Sequence, residues 1–200
     1  MEIKANASYG NLKKLIQALS KDYQIKVGVL ANKAGIDGKT RGSTVVGDDM
    51  DVAGVGALQE FGADIKITKK MAAFLHFKAE DLGLPPSNGK GDGYIHIPAR
   101  SWLQIPLEKK NALKKKIIEK FGGEQESVEN YIIETGDLMS LAIIIGVSAV
   151  EQIQEAFESE GFGQWAPNSP LTVASKGSAM PLIDKGRLRG AITYEVNNNG

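Results

Sequence analysis

Hydrophobic positions recur with the helical period in several parts of the chain. Leu12, Leu15, Ile16 and Leu19 are spaced at i, i+3, i+4 and i+7, which predicts an amphipathic helix with one apolar stripe. The same reasoning, together with Gly and Pro boundaries, predicts further helices at 52–61, 106–121, 125–135 and 138–159, and short ones near 172–176 and 185–189. The most apolar of these is 138–159, which we expect to be the central core helix.

Other segments alternate between apolar and polar residues. Ile25, Val27 and Val29 fall on one side of the segment 24–30, as in a half-buried strand. Further strands are predicted at 65–68, 72–77, 94–98 and 192–196, with Lys69-Lys70 as the turn between the first two. The pattern therefore predicts an α+β fold.

In this fold, a mainly antiparallel sheet containing 24–30, 65–77 and 94–98 packs against the long helix 138–159. The face of that helix that meets the sheet includes apolar residues with helical spacing. These are Leu141, Ile144, Ile145 and Ile153.

Two stretches rich in Gly and polar residues interrupt the predicted elements, at 31–51 and 83–93. Long segments of this kind inside a domain are usually functional, and we expect them to be mobile in the free protein and ordered on assembly. Residues 1–160 are predicted to form an α+β core that carries these extended Gly-rich loops. Residues 161–200 form a turn-rich C-terminal arm that packs on the core or on a neighbouring subunit.

The charge balance narrows the range of functions. The chain has 200 residues, with 24 Lys and Arg against 24 Asp and Glu. Dedicated nucleic-acid binders usually carry a basic excess, so this balance argues against one. One alternative remains, a small DNA-binding assembly factor that uses the lysine-rich helix 107–121.

The apolar run 138–150 is shorter than the roughly 20 residues needed to cross a bilayer. We therefore predict a core or interface helix and no membrane partner.

No local motif meets the requirements of an enzyme or a metal site. Asp48, Asp49 and Asp51 lie close together, but the spacing and closing Glu of a calcium loop are missing. His76 and His96 are the only histidines, and both fall in predicted strands without a carboxylate motif beside them. The sequence therefore predicts no cofactor, no metal and no catalysis, although residues distant in sequence can converge on a site.

Four fragments, in order along the chain, resemble one known family. Val27-Gly28-Val29-Leu30 is similar to its first strand, and Glu60-Phe61-Gly62 ends a helix as in that family. The segment 97–103, Ile-Pro-Ala-Arg-Ser-Trp-Leu, is similar to the family's Ile-Pro-Ala-Arg-Pro-Phe-Leu segment. The C-terminal tract from Trp165 to Leu188 resembles its ending. The family is that of the phage virion morphogenesis (tail-completion, head–tail neck) proteins.

The resemblance implies a structural role and no enzymatic activity. It implies a virion protein assembled in the host cytoplasm, which completes the head–tail joint of a tailed bacteriophage as a homo-oligomeric ring, expected to be a hexamer. Its partners would be portal or connector proteins on the head side and tail terminator or tail tube proteins on the tail side, and packaged DNA would pass through the ring.

The candidate interface residues are Arg100, Trp102, Trp165, Pro167, Lys176, Leu182 and Arg187. Among them, Arg100 follows a strand-ending proline, and its guanidinium can fork onto a carboxylate or onto backbone carbonyls. Glu60 is the candidate carboxylate. Trp165 is a large apolar anchor in a segment that is otherwise rich in turn residues.

Overall fold

The computed structural model describes residues 16–17, 21–30, 51–84 and 93–198. Its elements are, in chain order, β1 (Tyr23–Val29), α1 (Val52–Phe61), β2 (Ala63–Lys66), α2 (Lys69–Asp81), β3 (Tyr94–Ile97), α3 (Gln104–Glu108), α4 (Lys110–Lys120), α5 (Gln125–Thr135), α6 (Leu138–Glu158), α7 (Glu160–Gly163), α8 (Pro170–Lys176), α9 (Arg187–Gly190) and β4 (Ile192–Asn198). Helices dominate, the sheets are small, and α6 is the long helix. The predicted α+β class is therefore confirmed.

The strands form two small sheets and not the single sheet predicted. β2 pairs with β3 in antiparallel fashion, with Ala63 opposite Ile97 and Lys66 opposite Tyr94, whereas β1 pairs with β4. The segments 24–30 and 94–98 are thus strands as predicted, but they belong to different sheets. Alternation along a strand indicates which face is buried and does not indicate which strand lies beside it.

The predicted strand at 72–77 is wrong, because these residues lie in the helix α2. The side chain of Thr68 caps that helix, its Oγ1 accepting a hydrogen bond from the Met71 N–H at 3.2 Å. Ala72 and Ala79, seven residues apart, are the buried positions of α2. The short apolar run that indicated a strand is therefore one and a half turns of helix.

The predicted helix 106–121 is divided in two at Lys109. This residue has a non-helical ψ of 61° and separates α3 from α4. Its carbonyl accepts a hydrogen bond from Nε2 of the buried Gln152 at 3.2 Å. Helix formation also begins two residues before Pro106, which occupies the first turn of α3 and not its first position.

The long helix α6 begins at a capped N-terminus. Asp137 Oδ1 accepts the Ser140 N–H at 3.0 Å, and its Oδ2 accepts the Ser140 hydroxyl at 2.6 Å. These bonds favour the ionised carboxylate, the hydroxyl bond most, and they hold the pKa of Asp137 below its ordinary value of 3.8. Asp137 is therefore the N-cap of α6.

One contact of α6 explains a glycine within it. A Cβ at Gly146 would lie only 2.3 Å from Cδ2 of Tyr194 in β4, so the helix backbone lies directly against that ring. Of the predicted apolar face, Ile153 is fully buried, whereas Leu141, Ile144 and Ile145 are half-buried.

Of the helices that the structure describes, Leu138–Glu158 is long and apolar enough, by length and composition, to cross a membrane, and 33% of its most apolar stretch is buried. The core helix of a soluble protein has the same properties.

The chain divides into two compact units, each built from segments distant in sequence. The first comprises Met1–Gly28, Leu107–Gln152 and Thr193–Gly200, and the second Val29–Pro106 and Ile153–Ile192. The predicted core at 1–160 and C-terminal arm at 161–200 stay a prediction. The predicted loops at 31–51 and 83–93, and the helix predicted from the stripe at 12–19, lie outside the described residues except at their edges and at 16–17.

Candidate functional site

A buried carboxylate in the second unit organises the backbone that follows Arg100. Glu60, in the last turn of α1, has only 7% of its surface exposed. Its two oxygens accept hydrogen bonds from one hydroxyl and three backbone N–H groups: Ser101 Oγ at 2.6 Å, Trp102 N at 2.7 Å, Leu103 N at 2.9 Å and Gln104 N at 3.0 Å. The first backbone N–H groups of a helix have no partner within the helix. The carboxylate therefore satisfies donors at and before the start of α3, where a negative charge is also favourable.

Arg100 forms the second polar group of the same cluster and is 6% exposed. Its Nε donates to the Ala166 carbonyl at 2.7 Å and its Nη2 to the Pro167 carbonyl at 2.9 Å. Its Nη1 donates to Gln59 Oε1 at 3.2 Å, and its backbone N–H donates to the Gln59 carbonyl at 2.7 Å. Of the two arrangements that the sequence allowed, the guanidinium therefore takes the backbone carbonyls. Burial lowers the pKa of Arg100 below its ordinary value, but a guanidinium remains charged in a protein.

Two tryptophans complete the cluster. Trp102 Nε1 donates to the Gly56 carbonyl at 2.8 Å, and Trp165 Nε1 donates to the Ser101 carbonyl at 3.1 Å. Both indoles lie against Phe157, with ring centroids 6.2 Å away for Trp102 and 5.5 Å away for Trp165. Each indole thus has a satisfied N–H and an apolar contact, as buried tryptophans require.

The backbone leading into Trp165 has an unusual conformation. Glu160, Gly161, Phe162 and Gly163 have φ values of 51°, 68°, 58° and 76°, so α7 is a left-handed turn. Left-handed geometry costs a non-glycine residue about 1–2 kcal/mol. The close approach of Trp165 explains Gly161, because a Cβ there would lie 2.3 Å from the indole Cδ1. Strain of this kind persists only where surrounding contacts hold it, and the packed indole is one such contact.

Hydrogen bonds from two side chains of the C-terminal tract hold the loop that follows α8. Lys176 Nζ donates to the Met180 carbonyl, and Asn168 Nδ2 donates to the same carbonyl at 3.1 Å. Burial lowers the pKa of Lys176, Arg100 lowers it further, and Asp184 opposes the shift. The C-terminal tract is therefore held by specific hydrogen bonds between its own segments.

The structure separates the seven predicted interface residues into two groups. Arg100, Trp102 and Trp165 are buried within the chain, so their side chains hold neighbouring segments in position. The remaining four keep solvent-accessible surface: Pro167 is exposed, and Lys176, Leu182 and Arg187 are half-buried. The cluster brings together Arg100, Trp102, Trp165 and the carbonyl of Pro167. The sequence indicated Glu60 only as a partner for Arg100. No sequence signal showed that its carboxylate instead binds the backbone N–H groups of 102–104.

The candidate chemical groups of the sequence have structural partners. Asp51 Oδ1 caps α1 by accepting the Gly54 N–H at 2.7 Å, whereas Asp48 and Asp49 lie outside the described residues. His96, in β3, is bonded to Asp64 of the paired strand β2 at 2.7 Å, and His76 lies in α2 and not in a strand. Within the described ranges, no group of three or more His, Asp or Glu residues could hold a metal ion.

Several lysines of α4 are engaged at the surface. Lys114 donates to Gln125 Oε1 at 2.8 Å, Lys115 lies 3.8 Å from Glu119, and Lys120 lies 2.8 Å from Glu151. The basic stripe indicated by the sequence is therefore partly neutralised by neighbouring carboxylates.

Comparison with known proteins adds no relative: no protein family, no curated protein and no solved structure matches this chain.

Proposed function

We propose that this chain is a structural subunit of the head–tail joint of a tailed bacteriophage, acting in a homo-oligomeric ring by surface complementarity. The support comes from the four sequence fragments that resemble tail-completion proteins and from the way three of them meet in the structure.

The observation that carries the proposal is the convergence of three distant fragments. The Glu-Phe-Gly fragment supplies Glu60, whose carboxylate holds the backbone of 102–104. The Ile-Pro-Ala-Arg fragment supplies Arg100, which holds the carbonyls of the C-terminal tract at 166–167. The C-terminal tract supplies Trp165, whose indole N–H donates to the Ser101 carbonyl. Each of the three fragments therefore makes hydrogen bonds with another of them, which gives a physical reason for their occurrence together.

The chemistry of the cluster also favours a structural role. The carboxylate, the guanidinium and both indole N–H groups are engaged with the chain itself at ordinary hydrogen-bond distances. Fully satisfied buried polar networks make a fold rigid and specific. Such a cluster presents its surroundings in one arrangement, as a subunit that must fit a neighbour requires.

In this proposal the ring lies between portal or connector proteins and the tail terminator or tail tube, and packaged DNA passes through it. The accessible residues Pro167, Lys176, Leu182 and Arg187 are the contacts that the C-terminal tract would offer to a neighbour. The buried cluster sets their positions, because Arg100 holds the backbone at 166–167.

Disruption of the coding sequence in the phage that carries it tests the proposal. We expect DNA-filled heads and free tails that remain separate in electron micrographs. Antibody against the chain should label the neck of intact particles. Infectious particles at normal yield, or heads without DNA, would contradict the proposal.

A point variant tests the role of the C-terminal tract. Trp165→Ala should impair attachment of tails to filled heads and leave DNA packaging intact, because truncating a buried aromatic residue costs about 3–5 kcal/mol. Trp165→Phe is the matched control, since it keeps a ring against Phe157 and loses the N–H bond and only part of the buried ring surface. A folded Trp165→Ala protein that supports normal particle yields would exclude the tract from the joint.

The alternative, a DNA-binding assembly factor that uses helix 107–121, predicts a different measurement. It requires an affinity for duplex DNA that falls steeply with salt concentration. If the purified chain shows that behaviour, and Lys110→Glu or Lys116→Glu abolishes it, the alternative replaces the joint.

A further inference from the structure

The helix α2 exposes two phenylalanines and packs on the protein through two alanines. Phe74 and Phe77 are 40% and 64% exposed, whereas Ala72 and Ala79 are 3% and 5% exposed. Residues seven apart lie on one face of a helix, and the two phenylalanines, three apart, lie together on the opposite face. The two largest apolar side chains of α2 therefore lie outside its packed face. We call Phe74 and Phe77 the aromatic ridge.

An exposed ridge of this kind is a mark of an interaction surface. Burial of apolar surface contributes about 25 cal/mol per Å², and phenylalanine side chains are among the largest contributors at interfaces. Two of them side by side, on the outward face of a helix that packs by alanines, form a patch larger than scattered surface residues.

The first unit contains a groove of matching chemistry. It lies between α4 and α5 and has a volume of about 320 Å³. Its walls are apolar: Leu113, Ile117, Ile118 and Val128. A cavity of about 150 Å³ lined by aliphatic side chains accepts one benzene molecule. The groove therefore has room for about two phenyl rings, the number on the ridge. We call it the α4–α5 groove.

The charges around the two surfaces are also complementary. Lys78 and Asp81 flank the ridge on α2, and Lys110, Lys114 and Glu129 stand at the rim of the groove. Gln125 joins two of these rim charges, accepting from Lys114 Nζ at 2.8 Å and donating to Glu129 Oε1 at 2.8 Å. Each sign on the ridge thus has an opposite sign available on the rim. Such matching selects a partner and an orientation more than it adds affinity.

We infer that the aromatic ridge of one copy of this chain binds in the α4–α5 groove of the next copy. The ridge and the groove are different patches of the same chain, so the contact is head-to-tail and generates a closed ring or an open filament. The inference adds a specific contact to the proposed function. That this contact closes into a ring rests on the proposed function, whereas the contact itself depends only on the two surfaces.

Cross-linking tests the geometry, and the absence of Cys from the chain leaves no background thiol. Ala73→Cys places a thiol beside the ridge, and Lys114→Cys places one at the rim of the groove. When the two variants are mixed, a short bis-maleimide should join one chain of each kind. Lys115→Cys is the matched control, since Lys115 is the next residue of α4, is exposed and does not line the groove.

Three outcomes of the cross-linking are decisive. A mixed dimer with Lys114→Cys and little with Lys115→Cys supports the inference. Cross-linking of Ala73→Cys only to another Ala73→Cys chain would indicate a two-fold contact between ridges and would overturn the inference. Equal yields with Lys114→Cys and Lys115→Cys would indicate random collision and would also overturn it.

Sedimentation of the purified chain tests the energetics. Phe74→Ser with Phe77→Ser should weaken self-association by about 100-fold or more, because most of the apolar surface that would be buried is removed. Tyr94→Ser is the control, since Tyr94 is 65% exposed and lies in β3 outside the ridge. Circular dichroism confirms that the variants fold. A wild-type chain that stays monomeric up to about 0.1 mM, or a ridge variant that associates like wild type, would overturn the inference.

The failure of this inference is distinguishable from the failure of the proposed function. If antibody labels the neck but the chain associates without the ridge, the joint stands and this contact is wrong. If ridge and groove cross-link but particles assemble normally without the chain, the contact stands and the joint is wrong.

Discussion

Removal of the Glu60 carboxylate should have a large effect on stability. In Glu60→Ala, three backbone N–H groups at 102–104 and the Ser101 hydroxyl lose the acceptor that they share. The hydroxyl can rotate to another acceptor, but the backbone donors are fixed by the start of α3. The substitution also leaves space where a side chain with 7% exposure was packed.

The structure allows an estimate of the cost. A buried donor left without a partner costs about 1–3 kcal/mol. Of the three N–H groups, that of Trp102 is the most buried, whereas Gln104 is an exposed residue that water reaches. We therefore expect a loss of about 3–5 kcal/mol and not the sum of three full penalties. A domain is stable by only about 5–15 kcal/mol, so this loss is a large part of the total.

Urea unfolding followed by tryptophan fluorescence is the appropriate assay. The chain has 2 tryptophans, Trp102 and Trp165, and both lie in the cluster, so the emission reports directly on it. Glu80→Ala is the control, since Glu80 is an exposed residue of α2 and its loss should change stability by less than about 0.5 kcal/mol. Glu60→Gln should fall between the two, because the carboxamide accepts through one oxygen and presents an N–H₂ to the remaining donors.

A Glu60→Ala protein within about 1 kcal/mol of wild type would contradict this expectation. It would mean that the carboxylate does not hold the segment 101–104, and one of the contacts that support the proposed function would be absent.

Three further predictions use the same assay. Arg100→Lys should destabilise by about 2 kcal/mol, because one ammonium cannot reproduce a planar fork that reaches two carbonyls and an amide, and an unchanged midpoint would contradict this. Gly161→Ala should cost several kcal/mol more than Gly163→Ala: both residues have positive φ, but an added Cβ meets the indole ring at 2.3 Å in the first case and nothing within 4 Å in the second, so equal losses would remove the packing explanation. Asp137→Ala should cost about 1 kcal/mol at neutral pH through the lost cap. Because the folded pKa of Asp137 lies below its ordinary 3.8, its contribution is present above that value and is lost as pH falls through the folded pKa. The difference from wild type should therefore shrink in acid, and a constant difference would refute the linkage.

The elements with strong periodicity were predictable from the sequence. Residues 138–158 form a helix because their apolar positions recur at the helical period over several turns, and Asp137 with Gly136 marks their start. The strand at 94–97 and the helix at 125–135 follow in the same way from alternation and from flanking glycines. In these segments local propensity and burial indicate the same structure.

The prediction failed at α2, where the two largest apolar side chains are not on the buried face. A helix normally places large apolar residues inward, and the period of those residues reveals it. Here the inward positions are Ala72 and Ala79, and the aromatic ridge points outward. The two phenylalanines were therefore interpreted as part of a short apolar strand, although Met71, Leu75, Ala79 and Leu82 are spaced as one face of a helix. The outward position of the aromatic ridge contributed to this error, and it also makes the ridge a candidate for contact with another chain.

The candidate site was predictable in its residues and not in its bonds. Arg100 had two chemically reasonable partners, a carboxylate or backbone carbonyls. The choice depends on the path of the segment 101–104, which brings its own donors to Glu60, and on the return of 166–167 to Arg100. Both contacts join segments that are far apart in sequence, and the local pattern of hydrophobic and polar residues does not predict them. For the same reason, the break at Lys109 depends on Gln152, 43 residues away.

Burial of Arg100, Trp102 and Trp165 changes what an interface residue means in this protein. Association becomes weaker when a loop must be ordered as it binds, and stronger when folding has already ordered it. Arg100 holds the carbonyls at 166–167 within the folded chain, so the accessible Pro167 that follows is set in place before any neighbour arrives. A substitution at Arg100 should then weaken assembly in proportion to the freedom that it gives the tract, although its side chain touches no partner. A substitution on the aromatic ridge should weaken assembly without loosening the tract. If both kinds of variant fold, a comparison of their effects on stability and on self-association separates the residues that position the surface from those that form it.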